Sequence, residues 1–392
     1  MTATPEQHAI VSGIGISRVG RKTGIDPVEL TKEACEEAIA DAGLTVDDVD
    51  GIATFGDVPM RMAREAIGMA PREYRGGGFD TAGLLSPVTG AAVSVGERRV
   101  RHVLIYRTVQ MMGGAMTENH GGGPVEDEGP SMAEAMVGLM GDMDPLMTHH
   151  AYSAVNWLAL HARRHMHLYG TTKEQLGWLA INSRRNAALN PRAALQDPMT
   201  MDDYLAARTI SSPLGLFDCD IPVDGSIALV ISHEDHIPDC PSTPVRVAAV
   251  GGSTGPGAWL HRPDFPKMAS ADAAAEMWSR TDLTVDDLDV AELYDGFTFL
   301  TFAWLEALGI CGEGEAGPYV EGASRIALDG DLPLNTYGGQ LSAGRMHGYW
   351  VLHEAVLQLR GEADERQVAG DPEVAVASAG GGPIAGCVLL TR

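Results

Sequence analysis

The chain has 392 residues, 45% of them apolar and 21% charged, which suits a large buried core and excludes a disordered chain. Its 28 Lys+Arg against 53 Asp+Glu leave a formal charge of −25, the opposite of the basic footprint that meets nucleic-acid phosphates. Cysteines at 35, 219, 240, 311 and 387 are odd in number and lack CxxC spacing, against a disulfide scaffold or a zinc ribbon in this chain.

Residues Met1 to Gln7 show no basic start followed by an apolar run, and no apolar stretch approaches the length of a membrane span. The expectation is a cytoplasmic protein with no membrane span and no nucleic-acid partner. The first elements are a strand at Ala9 to Gly13, a helix at Leu30 to Ala42, an acidic turn and a second strand at Gly51 to Phe55. The turn reads Leu44-Thr45-Val46-Asp47-Asp48-Val49-Asp50 and returns 239 residues later as Leu283-Thr284-Val285-Asp286-Asp287-Leu288-Asp289. Its flanks return too: a strand at Ala248 to Gly252, a helix at Ala271 to Arg280 and a strand at Val290 to Leu293. Each copy reads strand, helix, turn, strand, a parallel crossover unit. The spacing predicts two related α/β halves, 1–240 and 241–392, with a seam near the two prolines of His236 to Pro241.

Between these units, about 113–148 breaks the pattern. Gly113-Gly114, Gly121 to Gly123 and Glu126-Asp127-Glu128 precede Met132, Met136, Met140, Met143 and Met147, spaced to share a helix face that Pro145 would end. Such a face packs on the core or offers an adaptable apolar wall to a bulky substrate. His161 and His165 stand at i, i+4 with Arg163 and Arg164 between them. The arginines disfavour a metal site and predict an exposed basic helix face, with CoA phosphates as a possible contact.

The segments Tyr169 to Gln175, Asn186 to Pro191, and Arg208 through Asp218-Cys219 to Gly225 resemble the thiolase superfamily, especially its sterol-carrier-protein-type branch. The resemblance implies an α/β thiolase fold, two βαβαβαββ halves in a five-layer αβαβα sandwich. It also implies a nucleophilic cysteine, an oxyanion-hole asparagine, a Gly-His-Pro histidine and a second cysteine. This chain departs at each position. No cysteine lies between Cys35 and Cys219, and the nucleophile's place falls near Asp80-Thr81; Tyr294 replaces the asparagine, Arg345 the histidine, with His347 two residues on, and Ser378 the second cysteine.

Without thiols such a cleft still holds an acyl-CoA and stabilises an enolate, which suits retro-aldol cleavage of a β-hydroxyacyl-CoA. In this it resembles the steroid side-chain aldolases of the superfamily, although those often carry tyrosine where Arg345 stands. The resemblance puts Tyr294 at an oxyanion-hole position, and on chemical grounds its hydroxyl donates to an oxyanion or exchanges a proton with the leaving alkoxide, with Arg345 or a protonated His347 as the cation that would tune it and Tyr337 and Asp295 as weaker candidates. It makes Ser378, Gly381 and Gly382 candidate CoA contacts. Glycine runs at 76–78 and 380–382 read by default as turns, and Cys387 as a buried strand residue. No tightly bound cofactor is expected: CoA enters with the substrate, and zinc belongs to a partner chain built of a zinc ribbon and an OB-fold. The resemblance further implies a homodimer. Two other readings stay open: a non-catalytic acyl-CoA or lipid-binding protein, and a thiolase-like acyltransferase that depends on a partner.

Overall fold

The computed structural model describes residues 3–55, 58–77, 83–111, 144–253, 260 and 262–392. Met132, Met136, Met140, Met143, the glycine and acidic runs before them, Gly78 and Asp80-Thr81 lie outside the described residues. Met147 closes a single helical turn, Asp144–Met147.

The first half runs β1 (Ala9–Ile16), α1 (Pro27–Asp41), β2 (Gly51–Thr54), α2 (Met60–Ile67), β3 (Tyr74–Gly77), α3 (Ser86–Gly96) and β4 (His102–Gln110). Helices α4 (Ala154–Tyr169) and α5 (Lys173–Ala187) follow, then the hairpin β5 (Thr209–Ser211)–β6 (Leu214–Gly215) and β7 (Asp224–His233). The second half runs β8 (Val245–Ser253), α6 (Ala269–Trp278), β9 (Val290–Glu292), α7 (Thr298–Ala307), α8 (Tyr349–Arg360), β10 (Val374–Gly380) and β11 (Ala385–Thr391). Nine strands join in the order β3-β2-β4-β7-β1-β8-β11-β10-β9.

That order contains the duplication. From β1 the neighbours β7, β4 and β2 pair antiparallel, antiparallel and parallel. From β8 the neighbours β11, β10 and β9 do the same. The repeated acidic turn has one physical job in both copies. Asp48 accepts the Thr45 N–H at 2.8 Å and Asp287 the Thr284 N–H at 2.7 Å, each capping a short 3-10 turn. Asp50 and Asp289 then accept backbone N–H groups at the starts of β4 and β10.

Helix α1 covers β1, β4 and β7 from outside, and α6 covers β8 and β11. Between the sheets, α3 touches strands of its own half and β8, while α8 touches β9 and β10 but also β1 and β7. Five layers, α-β-α-β-α, result. The outer helices seat closely because Gly13 and Gly251 lack a side chain: a Cβ there would overlap the Ala38 and Ala273 carbonyls. Strands β1 and β8 pair over Ile10↔Arg246 and Val11↔Val245 and then part. Side chains take over the backbone groups of β1 beyond that point. Asp41 accepts Ile14 N–H at 2.9 Å, Glu37 accepts Ile16 N–H at 3.0 Å, and Arg360 from α8 donates to Ser12 O at 3.1 Å. A cavity of about 370 Å³ lined by Ile14, Glu37, Asp41, His353 and Arg360 adjoins this part of β1.

The exposed basic face expected on α4 is made by Arg163 and Arg164, while the two histidines turn inward. His161 and His165 are 0% and 3% exposed, with Arg163 and Arg164 on the solvent side. His165 bonds Thr171 Oγ1 at 2.7 Å and Glu306 at 2.9 Å. The flanking Trp157, Leu158 and Ala162 bury the opposite face, and the imidazoles go in with it. Cys387 lies buried in β11 opposite Ser378, as the sequence suggested.

Candidate active site

Strand β9 ends at Glu292, and Tyr294 follows at the C-terminal end of the sheet, where α/β folds place their ligands. Its N–H is held by Ser378 Oγ on β10 at 3.0 Å, and Leu293 N–H by Asn335 Oδ1 at 2.7 Å. Ser378 is wholly buried and thus positions Tyr294 instead of lining an open CoA groove. Tyr294 is 8% exposed. Burial raises its phenol well above the ordinary range, the charge of Asp220 adds to this, and the Arg345 and Arg107 guanidiniums oppose it without prevailing. This environment favours the protonated phenol, and the nearby cations do not offset it.

Arg107 was not a sequence candidate, though an arginine inside the apolar run Val103 to Val109 is a signal, since buried arginines are rare and paired. It is 1% exposed, lies over the Phe55 ring at 5.1 Å, and donates to Phe55 O and to His347 Nδ1. A guanidinium only donates, so Nδ1 accepts and the imidazole hydrogen sits on Nε2. Burial, with the charges of Arg107 and Arg345, holds His347 well below its ordinary value. The protonated His347 proposed from sequence is thus replaced by a neutral ring with an Nε2–H donor. Its backbone is left-handed, φ 49°.

Arg345 reaches Met111 Sδ with Nε at 3.0 Å and Nη2 at 2.9 Å, and Asp220 Oδ2 with Nη1 at 3.4 Å. A thioether is a weak acceptor, so this guanidinium keeps donor capacity in hand. Asp220, also missed from sequence, has a side chain 9% exposed. Burial pushes it up to about 6 despite the opposing charge of Arg345. Tyr349, the first residue of α8, is fully buried, and its hydroxyl lacks a partner among the described residues.

The weaker candidates take supporting places. Asp295 accepts Gln340 N–H at 2.7 Å and Leu341 N–H at 3.4 Å, capping the helical turn Gly339–Ala343 that leads to Arg345. Burial raises it to about 7 against those backbone bonds. Tyr337 is 0% exposed and stacks on Trp350 at 5.2 Å. Gly381 and Gly382 form the β10–β11 turn: Gly381 N–H meets Ile384 O at 2.8 Å, and Gly382 O accepts Ala269 N–H at 3.0 Å. A second cavity, about 260 Å³, is lined by His165, Tyr169, Lys267, Phe299 and Glu306, and none of the site residues line either cavity.

All five thiols are raised by burial. Cys219, next to Asp220, is pushed up to about 12 by burial and by Asp218 and Asp220, and its Sγ donates to Gly215 O at 3.4 Å. A thiolate nucleophile needs the reverse environment.

The family model of the thiolase C-terminal domain-like kind matches residues 252–390. The chain is 31% identical over 404 residues to the 17-hydroxy-3-oxo-4-pregnene-20-carboxyl-CoA lyase of Mycobacterium tuberculosis, covering 97% of this chain and 99% of that protein. It is 32% identical over 396 residues to a steroid side-chain-cleaving aldolase of Thermomonospora curvata, covering 97% of each. The solved structure of an Ltp2-ChsH2(DUF35) aldolase superposes with a TM-score of 0.85 at 28% identity over 98% of both chains. A duplicated five-layer fold, a phenol at the end of β9 and similarity along nearly the whole length agree: this chain belongs to the thiolase superfamily, among its steroid side-chain-cleaving aldolases.

Proposed function

We propose that the chain is a carbon–carbon lyase that cleaves a β-hydroxyacyl-CoA, the thioester of a steroid side chain, to a ketone and a shorter acyl-CoA by retro-aldol chemistry. One observation carries the reading: a buried phenol, Tyr294, lies at the sheet end under the influence of the Arg107 and Arg345 charges, in a chain similar throughout to two such lyases. When the Cα–Cβ bond opens, negative charge gathers on the thioester oxygen. A neutral phenol desolvated beforehand donates to that oxygen without reorganising, and the His347 Nε2–H is a second donor of the same kind. Ser378 and Asn335 fix the backbone that carries the phenol.

The reaction moves protons and one carbon–carbon bond, so it needs no redox group; CoA arrives as part of the substrate. The acidic chain works as a homodimer with a DUF35-type partner, a zinc-ribbon and OB-fold chain that carries the metal. The similar Ltp2-ChsH2(DUF35) aldolase structure supports the DUF35-type partner.

The test is product analysis with the purified chain and such a partner, using a 17-hydroxy steroid side-chain CoA thioester. Mass spectrometry should find the ketone and the shortened thioester. Tyr294→Phe should lower kcat by about 10²–10³ while thioester binding stays within about threefold. Full activity in that variant, or a trapped covalent acyl-enzyme, would refute the proposal; saturable binding with no ketone released would make the chain an acyl-CoA carrier instead.

A further inference from the structure

A retro-aldol step needs a group to take the β-hydroxyl proton, and the assigned donors are unsuited to it. Tyr294 holds its own proton, and His347 has spent its acceptor nitrogen on Arg107. Both oxygens of Asp295 accept backbone N–H groups. Glu292 accepts the N–H and hydroxyl of Thr336 at 3.1 and 2.6 Å through Oε1 alone, and its Oε2 has no partner among the described residues, but the side chain is fully enclosed, and burial with the charge of Glu354 raises the carboxyl well above its ordinary range, which keeps it protonated and away from a ligand.

Asp220 differs from each of these. Its backbone is clamped between the two segments that carry the site. Asp220 N–H donates to Gly296 O at 3.1 Å, beside Tyr294. Ile221 N–H donates to Gln340 O at 2.9 Å, and Arg345 N–H to Ile221 O at 2.8 Å. The carboxylates on either side in sequence are saturated. Asp218 takes the Lys173 ammonium, the Tyr204 hydroxyl, the Thr298 hydroxyl at 2.7 Å and Gly215 N–H at 2.6 Å. Asp224 takes Thr23 N–H at 2.9 Å and Met111 N–H at 3.1 Å. Asp220 has one long contact, Oδ2 to Arg345 at 3.4 Å, and its Oδ1 takes no hydrogen bond among the described residues. Unlike the enclosed Oε2 of Glu292, this open oxygen belongs to a side chain that still reaches solvent, where a ligand's hydrogen can meet it.

We infer that Asp220 is the catalytic base that removes the β-hydroxyl proton, with Arg345 as its positioning residue; this rests on the retro-aldol reading above. The step balances without a co-reactant. The hydroxyl proton passes to the Asp220 carboxylate, and the O–H electron pair becomes the π bond of the ketone. The Cα–Cβ pair moves onto the thioester as an enolate, whose oxygen meets the Tyr294 hydroxyl. The carboxylic acid then returns its proton to Cα, giving the shorter acyl-CoA and restoring the carboxylate. Because Asp220 titrates at about 6, it is mostly ionised at neutral pH and still basic enough to accept a proton.

Steady-state kinetics over pH 5–9 on the chain with its DUF35-type partner and the 17-hydroxy steroid thioester test this. Wild type should show an acid limb in kcat/KM near pH 6. Asp220→Asn should lower kcat by about 10²–10⁴, leave KM within about threefold, and remove that limb from the residual activity. Asp220→Glu, which keeps the carboxylate one methylene further out, should recover at least about tenfold of the loss and show the limb again. If wild type cleaves the thioester and Asp220→Asn keeps its kcat within about threefold, or loses it while retaining the limb, Asp220 is not the base. Loss of kcat in both variants with no recovery by glutamate assigns Asp220 a purely structural place and also overturns the inference. If wild type releases no ketone at all, the retro-aldol reading fails and the base with it.

Discussion

Tyr294 and Asp220 show the same physics with opposite outcomes. Burial disfavours the charged form of each, leaving the phenol neutral and the carboxyl poised. The cost of that poise is measurable. A free aspartate titrates near ~3.9, whereas Asp220 in the folded chain does so at about 6. A raised folded value means that the ionised group subtracts from stability at high pH, and that the subtraction fades as pH falls through 6 toward 4. Asp220→Asn is therefore expected to raise the urea midpoint at pH 8, by the equivalent of roughly 1–2 kcal/mol after allowing for the partner lost to Arg345. The gain should shrink steadily toward pH 4. Unfolding curves across that range check it, and a variant weaker than wild type at pH 8 would mean that Asp220 is a satisfied structural carboxylate.

At the scale of elements, both halves solve one packing problem in one way. A helix must lie on a strand closely enough to leave no gap, and a glycine on the strand allows it: Gly13 under α1 and Gly251 under α6. Gly13→Ala and Gly251→Ala should each cost roughly 1–3 kcal/mol, because the obstructing atoms are helix backbone and cannot swing aside. Gly90→Ala is the control. It lies inside α3 with nothing nearer than the Tyr74 hydroxyl at 3.8 Å, so helix propensity should leave it neutral or slightly stabilising. Denaturant midpoints of the three variants test the comparison; equal costs at 13 and 90 would remove close packing as the reason for the glycine.

For the whole molecule, the halves are related in sequence but not separable in packing. Helices α3 and α8 each touch strands of both halves, one apolar cluster contains Val11 and Ile231 together with Val376 and Leu389, and Arg360 on α8 bonds Asp41 on α1 at 2.7 Å. Unfolding is therefore expected as one cooperative transition, with far-UV dichroism and the fluorescence of Trp304 and Trp350 superimposing. Two resolved transitions would show that the halves have independent cores.

The amino-acid sequence by itself determined the duplicated fold. Local patterns carry that information: the acidic turn with its threonine cap, strands of apolar residues and crossover helices recur at a fixed offset. It also placed Tyr294, because a strand end is a local feature. The tertiary structure decided the rest. Arg107, Asp220, Tyr294 and His347 come from four distant segments, and their protonation follows from burial and from one another's charges, neither of which spacing encodes. The same holds for His161 and His165, whose helix carries mixed residues on more than one face. Which face turns inward was settled by the packing of Phe265 and Phe302 against those rings, a contact between residues far apart in the chain.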